Sequence, residues 1–167
     1  MAANARRSFG ERLKGAALLH VDTYEEVEAD TTATPQAAGV VALVAAATAL
    51  GVSQVGGLTA VVIAVVSAFV GWLIWAGTTY LIGDKLLRGT ATWGELLRTL
   101  GFAQTPRLLL VLAHIPTVGL FVQGGVFVWT LITSVVALRQ ALDFGTGRAV
   151  LTGAIGLIVI ELMRILL

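Results

Sequence analysis

The chain lacks cysteine and has few charges. None of its 167 residues is cysteine, which excludes disulfides, thiolate metal sites and cysteine nucleophiles. Only 13% of the residues are charged, too few for the usual polar surface of a soluble domain. A net charge of +1 gives no electrostatic basis for binding nucleic acid. With 57% hydrophobic residues, the chain carries more apolar surface than a small soluble core buries. The sequence therefore predicts an integral membrane protein.

Catalytic signatures are missing as well. The sequence contains no HExxH, no GxSxG, no phosphate loop and no dinucleotide fingerprint. We therefore expect no enzyme activity, no catalytic residue, no cofactor and no metal. A membrane enzyme acting on lipid is the weakest hypothesis, because no nucleophile–base pair or metal-ligand set is visible.

Five apolar stretches follow an amphipathic N-terminal segment, residues 1–34. Thr34–Pro35 and Thr105–Pro106 are typical helix starts, with a hydroxyl N-cap before proline. The predicted fold is all-α: a polytopic membrane helical bundle of about five transmembrane helices with short amphipathic cytoplasmic helices. Alternatively, two short spans form one re-entrant hairpin, which leaves three full crossings. The membrane domain, 35–167, divides into predicted spans at about 35–55, 58–82, 106–123, 126–142 and 149–167.

The basic residues lie in alternate connections between the predicted spans. With the N-terminus inside, ten of the eleven basic residues are cytoplasmic and only Arg164 lies outside. The positive-inside rule therefore predicts a cytoplasmic N-terminus and an outer C-terminus. Nine arginines and two lysines, beside abundant alanine and glycine, favour a prokaryotic plasma membrane. No apolar region follows the N-terminal basic stretch, so a cleaved signal peptide is not expected.

Short helices are predicted outside the spans. Residues 4–19 alternate basic and apolar side chains, which is typical of an interfacial helix with Arg and Lys toward anionic head groups. Asp22 is the predicted N-cap of a second helix. Residues 92–100 form another predicted helix, on which Glu95 and Arg98 are spaced to pair.

Four polar residues in the third and fifth spans form a candidate intramembrane site: His114, Gln123, Glu161 and Arg164. Ionisable residues inside a membrane are functional candidates by default. The alternatives are structural. His114 could bond a carbonyl freed by Pro116, and Glu161 could pair with Arg164 near the outer interface. A small transporter or channel component that uses these residues is the alternative function.

A second candidate site lies at the cytoplasmic connection between spans four and five. Arg139, Asp143 and Arg148 flank a glycine-containing turn there and could bind an anion or a lipid head group. The structural alternative, which we favour, is a tight connection that fixes the angle between the two spans.

The chain resembles the Yip-domain family, the Rab-GTPase-interacting membrane proteins and their prokaryotic relatives. The similarity extends over about residues 9–160 and is best from Gly89 to Ala149. It rests on Arg12-Leu13-Lys14-Gly15-Ala16, Tyr24-Glu25-Glu26, Gly89-Thr90-Ala91-Thr92-Trp93, Glu95-Leu96-Leu97, Leu100-Gly101-Phe102 with Pro106, and Val136-Ala137-Leu138-Arg139-Gln140-Ala141-Leu142-Asp143 before Arg148-Ala149.

The resemblance implies five spans with a cytoplasmic N-terminus, and a non-enzymatic role in membrane organisation or trafficking. The family's Asp-Leu-Tyr-Gly-Pro motif is missing, which favours a prokaryotic relative over the GTPase-binding members. The favoured function is a scaffold that acts through helix packing and through partner or lipid contacts. Its expected partners are the lipid bilayer, other membrane proteins or further copies of the chain.

Overall fold

Every regular element is helical among residues 6–115 and 117–166, the part that the computed structural model describes; within it, the side chains of residues 51–56, 161 and 163–166 are not described. The helices are α1 Phe9–Ala17, α2 Val21–Ala29, α3 Thr34–Tyr80, α4 Trp93–Ala103, α5 Gly119–Ala141 and α6 Thr146–Leu166. Thr31–Ala33 and Thr105–His114 are 3₁₀ helices, and Leu81–Leu86 is a π-helical turn. The predicted all-α fold is confirmed.

Three helical segments are long and apolar enough to cross a membrane: Thr31–Leu50, Gly57–Leu86 and Gly119–Ala141. Thr146–Ile160 is a shorter apolar helix. Large apolar side chains such as Ile63, Val66 and Phe121 are exposed on the outside of these segments. In water this surface would be unfavourable, but it suits contact with lipid chains. The molecule is a multi-pass membrane bundle, as predicted.

α3 reverses direction at Gly57. Gly57 has φ 59° and ψ −153°, inside a helix that is otherwise regular. Ala37 contacts Gly101 of α4, and the indole of Trp72 donates to the carbonyl oxygen of Leu97 on the same helix. A straight helix would separate Ala37 from Trp72 by about 50 Å, yet both contact α4. α3 is therefore a hairpin of two arms, and the first two predicted spans correspond to those arms.

The chain from 105 to 141 departs from the predicted spans 106–123 and 126–142. It forms the ten-residue 3₁₀ helix, then a turn, and then the 23-residue α5. The connection lies before Gly119 because the backbone of Gly119 packs directly against the carbonyl of Ala113, where a side chain would collide. The predicted boundary, near Gln123, therefore falls inside α5. The number of crossings stays a prediction.

α4 lies at the centre of the packed core. Its buried face, which includes Leu96, Leu100 and Phe102, contacts α2, α3 and α5. Gly101 allows the first arm of α3 to approach closely, since an added Cβ would lie 2.7 Å from that of Ala37. Thr133 of α5 donates to the carbonyl oxygen of Ala103 at 2.7 Å. The helix that the sequence predicts on the cytoplasmic surface is thus mostly enclosed.

Capping boxes begin two of the described helices. Thr92 and Glu95 form a capping box at the start of α4, and Ser8 and Glu11 form another at α1. The prediction that Asp22 caps α2 is wrong, because the helix begins two residues earlier, at Val21, with His20 at the N-cap position. Asp22 instead lies in the first turn of α2, where its negative charge interacts favourably with the helix dipole.

Candidate functional site

A buried arginine joins three segments at the N-terminal end of the bundle. Arg12 of α1 is only 1% exposed. Its guanidinium donates to Glu26 Oε1 at 2.8 Å, to Asp30 Oδ2 at 2.7 Å and to Gln36 Oε1 at 2.9 Å. Glu26 belongs to α2, Asp30 follows α2, and Gln36 lies in the first arm of α3. The amphipathic pattern predicted that Arg12 faces lipid head groups, and this is wrong. Arg12 instead fixes α1 to α2 and α3.

The carboxylates around Arg12 are held in their charged form. Hydrogen bonds from Thr32 and Arg12 lower the pKa of Asp30 to about 2. Burial raises the pKa of Glu26, but hydrogen bonds from Arg12 and Arg7 outweigh it, and the net pKa is lowered. Burial alone would lower the pKa of Arg12, yet its bonds to Asp30 and Glu26 raise it. The network is thus fully ionised at neutral pH.

A second arginine fixes α2 to α4. Arg98 is buried and donates to the backbone carbonyl oxygens of Val27 and Glu28, which are orphan acceptors at the end of α2. The prediction that Arg98 pairs with Glu95 is wrong, because Glu95 instead closes the capping box with Thr92. A cation at the C-terminus of a helix is also favourable for the helix dipole.

α5 contributes two further contacts to α1 and α2, which we call the N-terminal hairpin (Phe9–Ala29). The indole N–H of Trp129 donates to the carbonyl oxygen of Ala17 at 2.8 Å, and the amide of Gln140 donates to Glu25 at 3.1 Å. The two contacts are separated by about 16 Å along α5. The N-terminal hairpin therefore lies against the side of α5 over several turns.

Glu28 has an unusual electrostatic environment. Burial, together with the nearby charges of Glu95, Asp143 and Glu25, raises its pKa to about 7, while Arg98 acts in the opposite direction. These groups come from α2, α4 and the connection between α5 and α6. Thr90 also donates to Asp143 at 2.6 Å. The three segments that the charge pattern assigns to the cytoplasmic side are thus in direct contact.

The candidate cytoplasmic residues do not form one cluster. Asp143, in a left-handed conformation with φ 52°, accepts the bond from Thr90. Arg148 lies over the ring of Phe144, at 5.6 Å from its centroid. No ion pair joins Arg139, Asp143 and Arg148 in the described structure. This geometry is that of a tight connection, and a head-group site there stays a prediction.

The candidate intramembrane residues are only partly described. His114 is exposed, and its Nδ1 lies 3.0 Å from the carbonyl oxygen of Val111 in its own 3₁₀ helix. Gln123 lines a cavity between the helices, and His114 does not. The side chains of Glu161 and Arg164 lie outside the described residues. Convergence of the four residues on one path therefore stays a prediction.

The cavity has a volume of about 700 Å³ and lies between both arms of α3, the 3₁₀ segment, α5 and α6. Its walls are largely Ala, Val, Leu, Ile and Trp, with Gln104, Arg107 and Gln123 among the polar exceptions. The space is open to the surface between the spans, so lipid can enter it when the protein is in a membrane.

Sequence reasoning missed Arg12, Arg98 and Gln104. Arg12 and Arg98 look like surface charges on amphipathic helices, and their partners are 14 to 71 residues away. One signal was available: the acidic residues of α2 follow a basic α1, which is typical of two helices that pair with each other. Gln104 gave no signal beyond its position between two predicted elements.

These features define a polytopic helical membrane protein with a folded N-terminal hairpin and a cavity between its spans. The chain belongs to the Yip1 domain family, whose model matches residues 17–166. The match begins at the last residue of α1 and extends through α6. The resemblance seen in the sequence motifs is thereby confirmed. Searches of curated proteins and of solved structures each returned no match.

Proposed function

We propose that this Yip-type membrane protein is a non-enzymatic, membrane-organising scaffold of the trafficking type. In this proposal it acts through contacts between its cytoplasmic face and partner proteins or lipids. The observation that supports it most is the bridging of α1, α2 and α3 by the buried Arg12. Together with Arg98, this gives the N-terminal hairpin a fixed position beside the spans. A rigid surface held at the membrane is what a scaffold needs to position a partner.

The topology we propose has five crossings, a cytoplasmic N-terminus and an outer C-terminus in a prokaryotic plasma membrane. The meeting of the N-terminal hairpin, Thr90 and Asp143 at one end of the bundle supports a shared cytoplasmic side. Ten residues of 3₁₀ helix extend about 20 Å, and the 21 residues of α6 extend about 31 Å. The length of α6 suits a further crossing of a hydrocarbon core about 30 Å thick, whereas the 3₁₀ helix alone is about 10 Å too short for one.

Photo-crosslinking in native membranes tests the scaffold proposal. A photoreactive amino acid replaces Leu18, an exposed apolar residue at the end of α1. The matched control is the same replacement at Leu120, an exposed apolar residue at the start of α5, the end of the helix far from Gln140. We expect a discrete adduct with a protein, a lipid or a second copy at position 18, and its loss when Arg12→Met releases the hairpin.

The same crosslinking experiment can also contradict the scaffold proposal. Equal, unselective labelling at both positions would contradict the proposal, as would an adduct that persists after Arg12→Met. Solute flux in reconstituted vesicles that His114→Ala or Glu161→Gln abolishes would favour the transporter instead. For the topology, a reporter fused after Leu167 should respond only to reagents outside the cell, and a cytoplasmic signal would refute the proposed orientation.

A further inference from the structure

Gln104 presents hydrogen-bond donors in the wall of the cavity. It lies between α4 and the 3₁₀ helix, is only 3% exposed, and lines the cavity. Its carbonyl oxygen accepts from Arg107 Nη1 at 3.2 Å, which fixes the orientation of the amide. The amide N–H groups have no partner in the part of the chain that the structure describes. The amide nitrogen is not enclosed by protein and faces the open space of the cavity, where a ligand can supply the missing acceptor.

Two tryptophans in the same wall differ in how their N–H groups are satisfied. Trp72 donates to the carbonyl oxygen of Leu97 at 3.1 Å. Trp75, one turn later and 8% exposed, has a buried Nε1 with no partner among the described residues. This indole N–H is enclosed beside Gly156 of α6, so a ligand in the cavity does not reach it. The donor that such a ligand can use is the amide of Gln104, and a ligand that suits it offers a hydrogen-bond acceptor.

The rest of the wall limits the chemistry of such a ligand. Most of its side chains are aliphatic or aromatic, and none of the described residues that line it is a carboxylate. Apolar walls of this kind exclude water and accept hydrocarbon. The volume of about 700 Å³ is within the usual range of ligand pockets, about 300–1,000 Å³. The cavity lies among segments whose outer faces meet lipid, so a ligand can enter from the bilayer.

We infer that the cavity binds one acyl-ester phospholipid. An acyl chain occupies the space between the arms of α3, α5 and α6, and the ester carbonyl oxygen at its base accepts hydrogen bonds from the amide of Gln104. Phospholipids combine a long hydrocarbon chain with acceptor-only ester oxygens, which matches a hydrocarbon wall with donors. This site is distinct from the cytoplasmic face that carries the proposed function, so either proposal can fail without the other.

The first test uses the wild-type chain in nanodiscs of ether-linked phosphatidylcholine with a trace of ester-linked phosphatidylcholine that carries a diazirine in its acyl chain. Peptide mass spectrometry locates the adducts after illumination. We expect saturable labelling around Phe127 and Thr130, which line the cavity. Unlabelled ester lipid should compete at least fivefold better than its ether-linked analogue, which lacks the carbonyl acceptor. Equal competition by the two lipids would overturn the role of Gln104, and labelling that does not saturate would overturn the site. A free fatty acid that competes better than phospholipid would overturn the assignment to an ester.

The second test uses variants. Gly71 lines the cavity and Gly124 does not, and an added Cβ at either position meets nothing within 4 Å. Gly71→Leu should reduce cavity labelling severalfold by filling space, while Gly124→Leu leaves it unchanged. Gln104→Met should remove the preference for ester over ether lipid and leave the helical content unchanged. Equal labelling in Gly71→Leu and Gly124→Leu would refute binding in the cavity. If Gln104→Met does not fold, the ester–ether comparison on the wild-type chain still decides the role of Gln104.

Discussion

The two arms of α3 are both apolar but have different environments. In the most apolar part of Thr31–Leu50, 44% of the residues are buried inside the protein, against 6% in the corresponding part of Gly57–Leu86. Ala37, Val40 and Val41 of the first arm are fully buried, whereas Val62 and Val66 of the second arm are exposed. Apolar composition therefore predicts a span but not what the span contacts. Small residues and a polar bridge at Gln36 fix the first arm to the protein, and the second arm mainly faces lipid.

The largest effect is expected at Arg12, which anchors the first arm to the N-terminal hairpin. Arg12→Met removes the buried cation and leaves the partly buried carboxylates of Glu26 and Asp30 with fewer partners. Losing one partner of a fully buried pair costs about 3–5 kcal/mol, and the solvent contact of Glu26 places the expected cost at the lower end of this range. We expect amide exchange throughout α1 and α2 to accelerate in nanodiscs, as measured by mass spectrometry.

Arg6 offers a matched control for this variant. Arg6 is 4.0 Å from Asp30, and its side chain is 74% exposed. Exposed pairs contribute about 0–1 kcal/mol, so Arg6→Met should leave exchange in α2 almost unchanged. If both variants had the same effect, the N-terminal hairpin would not depend on the buried bridge.

Gly101 tests whether close approach holds the first arm to α4. An added Cβ would lie 2.7 Å from the Cβ of Ala37 and 3.2 Å from its Cα. Overpacking of this kind costs about 1–3 kcal/mol. Gly101→Ala should therefore lower the thermal unfolding midpoint in detergent. Gly10→Ala, in the open first turn of α1, should be neutral or raise it, because alanine is the better helix former. A Gly101→Ala protein as stable as the wild type would mean that the two helices can separate freely.

The two arms can be compared directly with one substitution. Val41→Ala removes two methyl groups from a fully buried position in the first arm, which should cost about 1–3 kcal/mol. Val66→Ala, at an exposed position in the second arm, exchanges contact with lipid only and should cost less than about 0.5 kcal/mol. Thermal unfolding in nanodiscs gives both values. Equal losses would show that Val66 packs against protein, such as another copy of the chain, and not against lipid.

The smallest effect concerns pH. The pKa of Glu28 is raised to about 7, so the native carboxyl holds its proton more tightly than the unfolded one. The associated stability is fully present below pH about 4.5 and is lost as the pH rises through about 7. The lowered pKa of Asp30, about 2, acts in the opposite direction and loses its contribution only in strong acid. The N-terminal hairpin should therefore be most firmly docked at mildly acidic pH.

Glu28→Gln should abolish the loss of stability between pH 5 and pH 8, an effect of about 1 kcal/mol after allowance for solvent screening. The measurement is amide exchange in α2 at the two pH values. Asp22→Asn makes the same charge change on the same helix at an exposed position and should retain the wild-type dependence. A wild-type chain with identical exchange at both pH values would refute this account.

The sequence predicted the elements better than their contacts. The first two spans, the helix after Thr92 and the helical N-terminal segment follow from apolar length and capping chemistry, which are local. Arg12 and Arg98 could not be assigned, because a buried arginine and a solvated one have the same local pattern and differ only in distant partners. The 3₁₀ helix of Thr105–His114 was missed for a related reason: its apolar composition is equally typical of an α-helix.

For the candidate site too, the sequence predicted local features but not the contacts between distant residues. Gln123 was selected as a polar residue in a span, and it does line the cavity. Gln104 was not selected, because nothing in the sequence indicates that an amide between two helices is buried with free donors. Spacing along one chain cannot show which walls meet around a common space.

The turn at Gly57 bears on how the protein enters the membrane. A single glycine with positive φ joins the two arms of α3, so the helical backbone continues almost to the bend itself. Two arms joined in this way can partition into the bilayer together, as one helical hairpin, with their backbone groups already paired. Insertion of the two arms of α3 then becomes a single event in the biogenesis of the protein.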